Sequence, residues 1–216
     1  MTIGIIGAGA IGSNIARLFA KSGNRRDDRQ QPGPGKPGTP DCGAGPPIKA
    51  AAREEAAAAD IVFVAVRWVD VGKVLDGLPA WSGRIVVDTT NPVEFLDPNS
   101  PEANYPSNPL APYGIRAVDL GGGYSSELLA EFVPGARLVK AFNHTPAELL
   151  PQPSVSGGQR VLFYSGDDAE AKAEVRAIIE KTGHFPVDLG GLDVGGPLTS
   201  PPLGSLSTNN FIKVRA

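Results

Sequence analysis

Short apolar runs alternate with amphipathic stretches along most of the 216-residue chain. The runs have the composition of buried strands and lie at 3–6, 61–66, 84–88, 138–142, 159–165 and 185–189. Between them, apolar residues spaced three or four positions apart predict helices that begin after residue 10, near 71, at 125 and at 168. This alternation predicts the α/β class, with a doubly wound, mostly parallel sheet and helices on its faces.

Two parts of the chain depart from this alternation. Residues 95–117 are rich in Pro and Asn and have no clear periodicity, which predicts a long loop that is functional or mobile. From residue 144 the pattern is that of a smaller unit. The expected division is therefore a domain at 1–143 and a small C-terminal α/β domain at 144–216 that closes a cleft.

The helix of the smaller unit has recognisable ends. Asp167 is predicted to cap it, with Glu170 three positions later in the spacing of a capping box. Gly183 is predicted to end it. A tail rich in Gly, Pro and Ser then leads to a last strand at 211–214.

The turn after the first apolar run has the sequence Gly7-Ala8-Gly9-Ala10-Ile11-Gly12. Gly7 permits the tight bend out of the strand, Gly9 leaves the backbone open to a diphosphate, and Gly12 lets the helix pack closely on the sheet. An apolar helix face follows at Ile11, Ile15, Leu18 and Phe19. This context favours a dinucleotide-binding, Rossmann-type fold, with phosphates on the free N–H groups of the helix terminus, over a glycine-rich turn without a ligand.

Residues 25–47 occupy the place where a doubly wound fold needs its second strand, but they cannot form one. The segment has no apolar run, and Pro recurs too often for a strand ladder. A flexible insertion, a low-complexity linker and a shifted reading frame would each account for this composition. We expect residues 25–47 to be poorly ordered.

The shifted frame is favoured because the genetic code lets the segment regroup into a strand. Dropping one base at Arg25 permits Asp-Val-Thr-Ile-Ala-Asn-Ser-Arg-Gly, and ordinary composition returns at Ile48. In that frame a Ser-Arg pair falls opposite Gln31 and Pro32, where an Arg would select the 2′-phosphate of NADP. The chain as written lacks this pair, so we expect weaker NADP binding. A confirmed in-frame gene sequence would contradict the hypothesis.

Asp27 and Asp28 lie about 20 residues after the glycine motif, the spacing at which an acidic residue contacts the ribose of NAD. Neither follows a strand. We therefore interpret both as solvated loop carboxylates and do not assign them to the cofactor.

Composition narrows the class of protein. The formal net charge of −3 and the pI of about 5.4 leave no basic surplus for nucleic acid or an anionic membrane. A single cysteine, Cys42, excludes an internal disulfide framework and suits a reducing cytoplasm. No apolar run is long enough to cross a bilayer. Two histidines far apart in the sequence make a metal site unexpected. The sequence therefore predicts a soluble cytoplasmic protein.

Three motifs together resemble those of the deazaflavin (coenzyme F(420))-dependent NADP oxidoreductases. They are IGIIGAGAIG at 3–12, VDTTNP at 87–92 and VKAFN at 139–143. The likeness extends over nearly the whole chain and fails at 25–47. It implies an NADP-binding domain followed by a small C-terminal domain, with a second cofactor in the cleft between them. The cofactors implied are NADP and, as co-substrate, coenzyme F(420), and the assembly implied is a homodimer.

The resemblance places cofactor-binding residues at the carboxyl ends of the predicted strands. Those expected to hold the diphosphate are Gly7, Gly9, Ala10, Ile11 and Gly12. Those expected to flank the adenosine and its ribose are Ala65, Val66 and Arg67. Those expected near the nicotinamide or the hydride acceptor are Thr90, Asn91, Pro92, Ala141 and Asn143. For the two asparagines, a turn-forming role is the alternative.

No catalytic residue is assigned. Hydride transfer between a nicotinamide and a deazaflavin chiefly requires that the two rings lie together in a dry cleft. His144 lies beside one motif and either assists proton balance or only hydrogen-bonds within a loop, and the second role is favoured. His184 is interpreted as structural, and Trp68 and Trp81 as packing residues.

Two other functions remain open. One is NADPH-dependent reduction of another small substrate, for example an imine as in the pyrroline-carboxylate reductases. Those enzymes have a helical dimerisation domain where this chain has a short C-terminal unit, which ranks them lower. The other is a degenerate NADP-binding protein without turnover, which the composition of residues 25–47 makes a real alternative.

Overall fold

The computed structural model describes residues 1–23, 51–202 and 204–215. The predictions for residues 25–47 lie outside these residues. They include the poor order, the shifted frame, and the interpretations of Asp27, Asp28 and Cys42.

Ten strands and six α-helices lie within the described residues. The strands are β1 Ile3–Ile6, β2 Ile61–Val64, β3 Ile85–Asp88, β4 Val93–Phe95, β5 Ile115–Ala117, β6 Arg137–Ala141, β7 Ser154–Val155, β8 Gly158–Gly166, β9 Phe185–Asp188 and β10 Ile212–Val214. The helices are α1 Ala10–Gly23, α2 Arg53–Ala57, α3 Val71–Leu75, α4 Ser125–Phe132, α5 Ala169–Thr182 and α6 Leu192–Thr199.

A single mixed sheet holds all of the described strands except β4 and β5, and its order begins β1-β2-β3-β6-β8-β10. β1, β2, β3 and β6 run parallel, β8 is antiparallel to β6, and β9 is parallel to β8. This is the mostly parallel, Rossmann-like α/β fold that the sequence predicts. β6 and β8 lie on either side of residue 143 and share the sheet, and the division of the chain there stays a prediction.

Helices cover both faces of the sheet because each central strand is apolar on both sides. In β2, Ile61 and Phe63 face the core beneath α1 and α5, whereas Val62 and Val64 face the core beneath α3 and α4. All four side chains are buried. The continuous apolar run in the sequence therefore marks a strand enclosed on both faces.

The backbone of α2 lies directly against β1 at Gly4. A Cβ atom built at Gly4 would lie 2.0 Å from the carbonyl oxygen of Ala56, which is closer than any real contact of this kind. Glycine at this position therefore allows α2, which leads into β2, to pack directly on the first strand.

Several elements were not predicted, among them a ribbon in the predicted loop and a helix in the predicted tail. The predicted loop at 95–117 begins and ends in an antiparallel ribbon, in which β4 pairs with β5 and Phe95 lies opposite Ile115. Each of these strands is too short to show a periodicity. The predicted tail contains α6, although Gly195, Gly196 and Pro197 all disfavour a helix. Close packing accounts for one of these glycines, because a Cβ at Gly195 would lie 2.3 Å from the Cβ of Ser165.

Two helix ends were also predicted wrongly. The N-cap of α5 is Asp168, whose carboxylate accepts a 2.7 Å hydrogen bond from the backbone N–H of Ala171. Asp167 instead accepts from the backbone N–H of Leu192, in the first turn of α6, at 3.1 Å. The spacing of Val71, Val74, Leu75 and Leu78 predicts a helix that stops near Pro79, whereas α3 ends at Leu75, because Gly77 adopts a left-handed conformation with φ of 70°.

Candidate cofactor site

Gly7 and Gly12 close the turn between β1 and α1. Gly7 has a φ of 114°, and a Cβ there would lie 2.2 Å from the carbonyl oxygen of Ala65. A Cβ at Gly12 would lie 2.0 Å from the carbonyl oxygen of Gly7. Neither position accepts a side chain without moving backbone. These two glycines therefore set how closely α1 approaches the sheet.

Gly9 differs from these two glycines because the space where a side chain would lie is open. A Cβ built there would have no protein atom within 4 Å, and φ is outside the left-handed region. No packing within the described residues therefore explains a glycine at this position. The open space lies beside the amino-terminal end of α1, where backbone N–H groups have no partner within the helix.

A cavity of about 480 Å³ runs from this turn across the carboxyl ends of β2 and β3. Of the predicted residues, it is lined by Gly7, Gly9, Ala10, Ile11, Ala65, Val66, Arg67, Thr90 and Asn91. The residues that sequence reasoning did not assign to it are Ala8, Trp68, Asp70, Val74, Thr89, Val93 and Phe95. Most of these come from the segments after β2 and β3, whose path depends on the fold. Trp68, interpreted as a packing residue, both lines the cavity and packs against the core.

Four predicted residues are buried and do not line the cavity. They are Gly12, Pro92, Ala141 and Asn143. Their roles in binding stay predictions. Ala141 is the last residue of β6, and Asn143 lies two residues after it. β6 is one strand away from β3, whose carboxyl end borders the cavity.

Asn91 and Asn143 join the ends of β3 and β6. The side-chain amide of Asn91 donates to the backbone oxygen of Asn143 at 2.8 Å, and the side-chain amide of Asn143 donates to Oδ1 of Asn91 at 3.0 Å. The amide of Asn143 also donates to the backbone oxygen of Thr199, at the end of α6, at 3.1 Å. Asn143 thus holds Asn91 at the cavity wall and ties that wall to α6.

A buried ion pair lies beneath the same wall. Lys140 is 1% exposed and Asp88 0% exposed, and their Nζ and Oδ2 atoms are 2.9 Å apart. Lys140 also donates to the backbone oxygen of Thr90 at 2.8 Å and to the hydroxyl of Ser125 at 3.2 Å. Asp88 accepts further bonds from the hydroxyls of Thr90 and Ser126. The network is satisfied throughout, so it fixes Thr90 in the cavity wall.

The sequence contains a signal for this network. Lys140 interrupts an otherwise apolar strand, and Asp88 ends another. Charged residues in such positions are seldom buried without a partner. The identity of the partner required the knowledge that β3 lies next to β6.

Burial determines the protonation state of His144. The side chain is 1% exposed and packs against the ring of Phe163, with ring centroids 4.8 Å apart. Burial lowers the pKa of His144 to about 4, against a smaller opposing effect of the Val161 backbone. At neutral pH the imidazole is therefore uncharged. His144 does not line the cavity, which favours the structural role over proton transfer.

The lowered pKa of His144 predicts a loss of stability in mild acid. The unfolded chain takes up a proton near pH 6.5, whereas the folded chain does so only near pH 4. Stability therefore falls as the pH drops below about 6.5, by about 2 kcal/mol at pH 5. Urea unfolding at pH 7.5 and pH 5 measures this change, and His144→Gln is expected to reduce it. An imidazole NMR signal of His144 that titrates near pH 6.5 would contradict the prediction.

Among residues 1–23, 51–202 and 204–215, no group of three or more His, Cys, Asp or Glu side chains could hold a metal ion. Nor does any helix in these ranges have the length and apolar character needed to span a membrane. His184 is buried, and its Nδ1 lies 2.8 Å from the hydroxyl of Thr182.

Comparison with known proteins finds a matching family model and similar solved structures. The sequence model of the family described as NADP oxidoreductase coenzyme F(420)-dependent matches residues 2–92. The hypothetical protein SMa0349 from Sinorhizobium meliloti has a similar structure, with a TM-score of 0.74 and 33% identity, covering 99% of this chain and 96% of that one.

Two more relatives are informative. A candidate F(420)-dependent NADP-reductase from Arthrobacter sp. FB24 has 25% identity and a TM-score of 0.59, covering 89% of this chain and 86% of that one. The metalloreductase STEAP3 of Rattus norvegicus is 28% identical over 152 residues, which is 70% of this chain and 27% of that protein. The chain thus spans about a quarter of the length of this curated relative.

Proposed function

The chain belongs to the family of coenzyme F(420)-dependent NADP oxidoreductases, and we propose that it transfers a hydride between NADP(H) and a deazaflavin coenzyme of the F(420) type. The family match and the similar structures support the NADP-dependent part of this function. The deazaflavin is the finer part of the proposal.

The open space at Gly9 is the observation that carries the proposal. A glycine that neither packs nor turns lies at the amino-terminal end of α1, on the wall of the cavity. A diphosphate needs this arrangement, because a side chain at this position would keep it from the backbone N–H groups. We assign the diphosphate of NADP(H) to the turn formed by Gly7, Gly9, Ala10, Ile11 and Gly12.

The rest of the cofactor follows the cavity. Ala65, Val66 and Arg67 lie after β2 and are assigned to the adenosine and its ribose. Thr90 and Asn91, at the carboxyl end of β3, are assigned to the nicotinamide end, where open α/β sheets bind ligands. Pro92, Ala141 and Asn143 are assigned to the support of that end. When bound, NADPH supplies the hydride, and the residues of the chain orient it.

The charges in the cavity support ring apposition over acid–base catalysis. Of the described residues that line it, the charged ones are Arg67 and Asp70, and Nε of Arg67 donates to Oδ2 of Asp70 at 2.7 Å. No histidine of the described chain reaches the wall. Holding two rings together without water between them requires no ionisable side chain.

Mixing the purified full chain with NADPH and coenzyme F(420) tests the proposal. We expect the deazaflavin absorption band to bleach as NADPH is oxidised, with a proton from the solvent completing the reduced coenzyme. Clear NADPH binding without bleaching would contradict the deazaflavin and favour another small acceptor or a binding protein without turnover. Homodimerisation and a cytoplasmic location also stay predictions.

A further inference from the structure

Exposed aromatic side chains cluster between residues 93 and 124. Among the described residues, those in this stretch are Phe95, Tyr105, Tyr113 and Tyr124. Phe95 is 69% exposed and yet lines the cofactor cavity. A single apolar ring on the surface is common. An exposed ring that lines a cavity differs, because a ligand bound in the cavity would cover it.

We propose that Phe95 is the platform on which the flat heteroaromatic ring of the hydride acceptor stacks. This subsite deepens the proposed function and rests on it. Phe95 follows Asn91 by four positions and lines the same cavity as Thr90 and Asn91, the residues assigned to the nicotinamide end. Aromatic rings stack in offset or edge-on arrangements that fix the orientation of a planar ligand.

Phe95 is held in place by the ribbon of β4 and β5. Arg116 on β5 forms ion pairs with Glu94 on β4 at 2.7 Å and with Glu102 in the connecting loop at 3.0 Å. At the base of the ribbon, the backbone N–H of Val118 donates to the oxygen of Pro92 at 2.9 Å. The ribbon begins at Val93, and residues 89–92 connect it to the end of β3. Its position relative to Asn91 is fixed by covalent and hydrogen bonds.

The apolar lining of the cavity suits a planar ring. Trp68 and Val93 line the cavity together with Phe95 and present apolar surface. Such walls exclude water from two rings that exchange a hydride. A second copy of this chain is the other occupant that an exposed aromatic surface would fit, and it predicts a different experimental outcome.

Equilibrium binding of coenzyme F(420) to the NADP-saturated full chain tests the subsite. Deazaflavin fluorescence reports binding with or without turnover, and sedimentation reports the oligomeric state. We expect Phe95→Ala to raise the Kd for coenzyme F(420) about tenfold and Phe95→Tyr to retain most of the affinity. The matched control is Phe132→Ala, which removes another exposed Phe, on α4 and outside this cavity.

The outcomes separate this inference from the proposed function. Binding that Phe95→Ala weakens, without bleaching by NADPH, supports the platform and contradicts the reaction. Bleaching with an unchanged Kd in Phe95→Ala supports the reaction and overturns the platform. Failure of the unaltered chain to bind coenzyme F(420) also overturns the platform. A changed oligomeric state, with equal losses for NADPH and coenzyme F(420), would assign the surface to a second copy and overturn it.

Discussion

Replacing Gly9 with valine is expected to weaken NADPH binding roughly a hundredfold, or about 2.7 kcal/mol. The valine side chain would occupy the space assigned to the diphosphate. Its Cβ would have no protein atom within 4 Å, and Gly9 does not need a left-handed backbone. The fold should therefore remain intact, with a free energy of unfolding lower by about 1 kcal/mol, because Gly9 is the N-cap of α1 and valine is a poor N-cap residue.

Titration of the intrinsic tryptophan fluorescence with NADPH measures the effect, because Trp68 lines the cavity. Ala20→Val is the matched control, since Ala20 is an exposed residue of α1 outside the cavity. Equal NADPH affinity in Gly9→Val and the control would remove the diphosphate from this turn.

Replacing Lys140 with methionine is expected to destabilise the protein by about 3–5 kcal/mol. Asp88 would remain fully buried without its counter-ion, and the backbone oxygen of Thr90 and the hydroxyl of Ser125 would each lose a donor. Urea unfolding measures the loss. The free energy would fall less when Asp88→Asn accompanies Lys140→Met, because the stranded charge is then absent.

Arg176 and Glu180 provide a matched control on the surface. Their side chains are 60% and 50% exposed and form an ion pair four positions apart on α5. Arg176→Met should cost no more than about 0.5 kcal/mol, since water screens the pair. If Lys140→Met cost no more than this, the buried network would not stabilise the fold.

The parts of the site that the sequence reveals are those with local causes. Although the contact that excludes a side chain at Gly7 comes from the distant Ala65, the glycine turn is readable because its spacing is typical of a strand-to-helix turn. The apolar runs locate the buried strands for the same reason. Thr90 and Asn91 could be placed at the cavity because the carboxyl ends of parallel strands meet at one edge.

The parts that the sequence conceals depend on contacts between distant segments. Asn91 and Asn143 are 52 positions apart, and their pairing follows from the order of the strands in the sheet. The helix at Leu192–Thr199 opposes its own residue propensities and forms through packing on β8. Phe95 became a candidate only when the short ribbon placed it beside the cavity.

The contact between Gly4 and Ala56 bears on how this protein could be re-engineered. α1 is anchored in one core, and α2 is seated on β1, so both attachment points of residues 24–50 are secured by packing elsewhere. The closure entropy of a connection changes only slowly with its length. Grafting another sequence between these anchors, including the regrouped strand, should therefore leave the turn at residues 7–12 undisturbed. NADP affinity measured on such a graft would then report the contribution of the grafted segment alone.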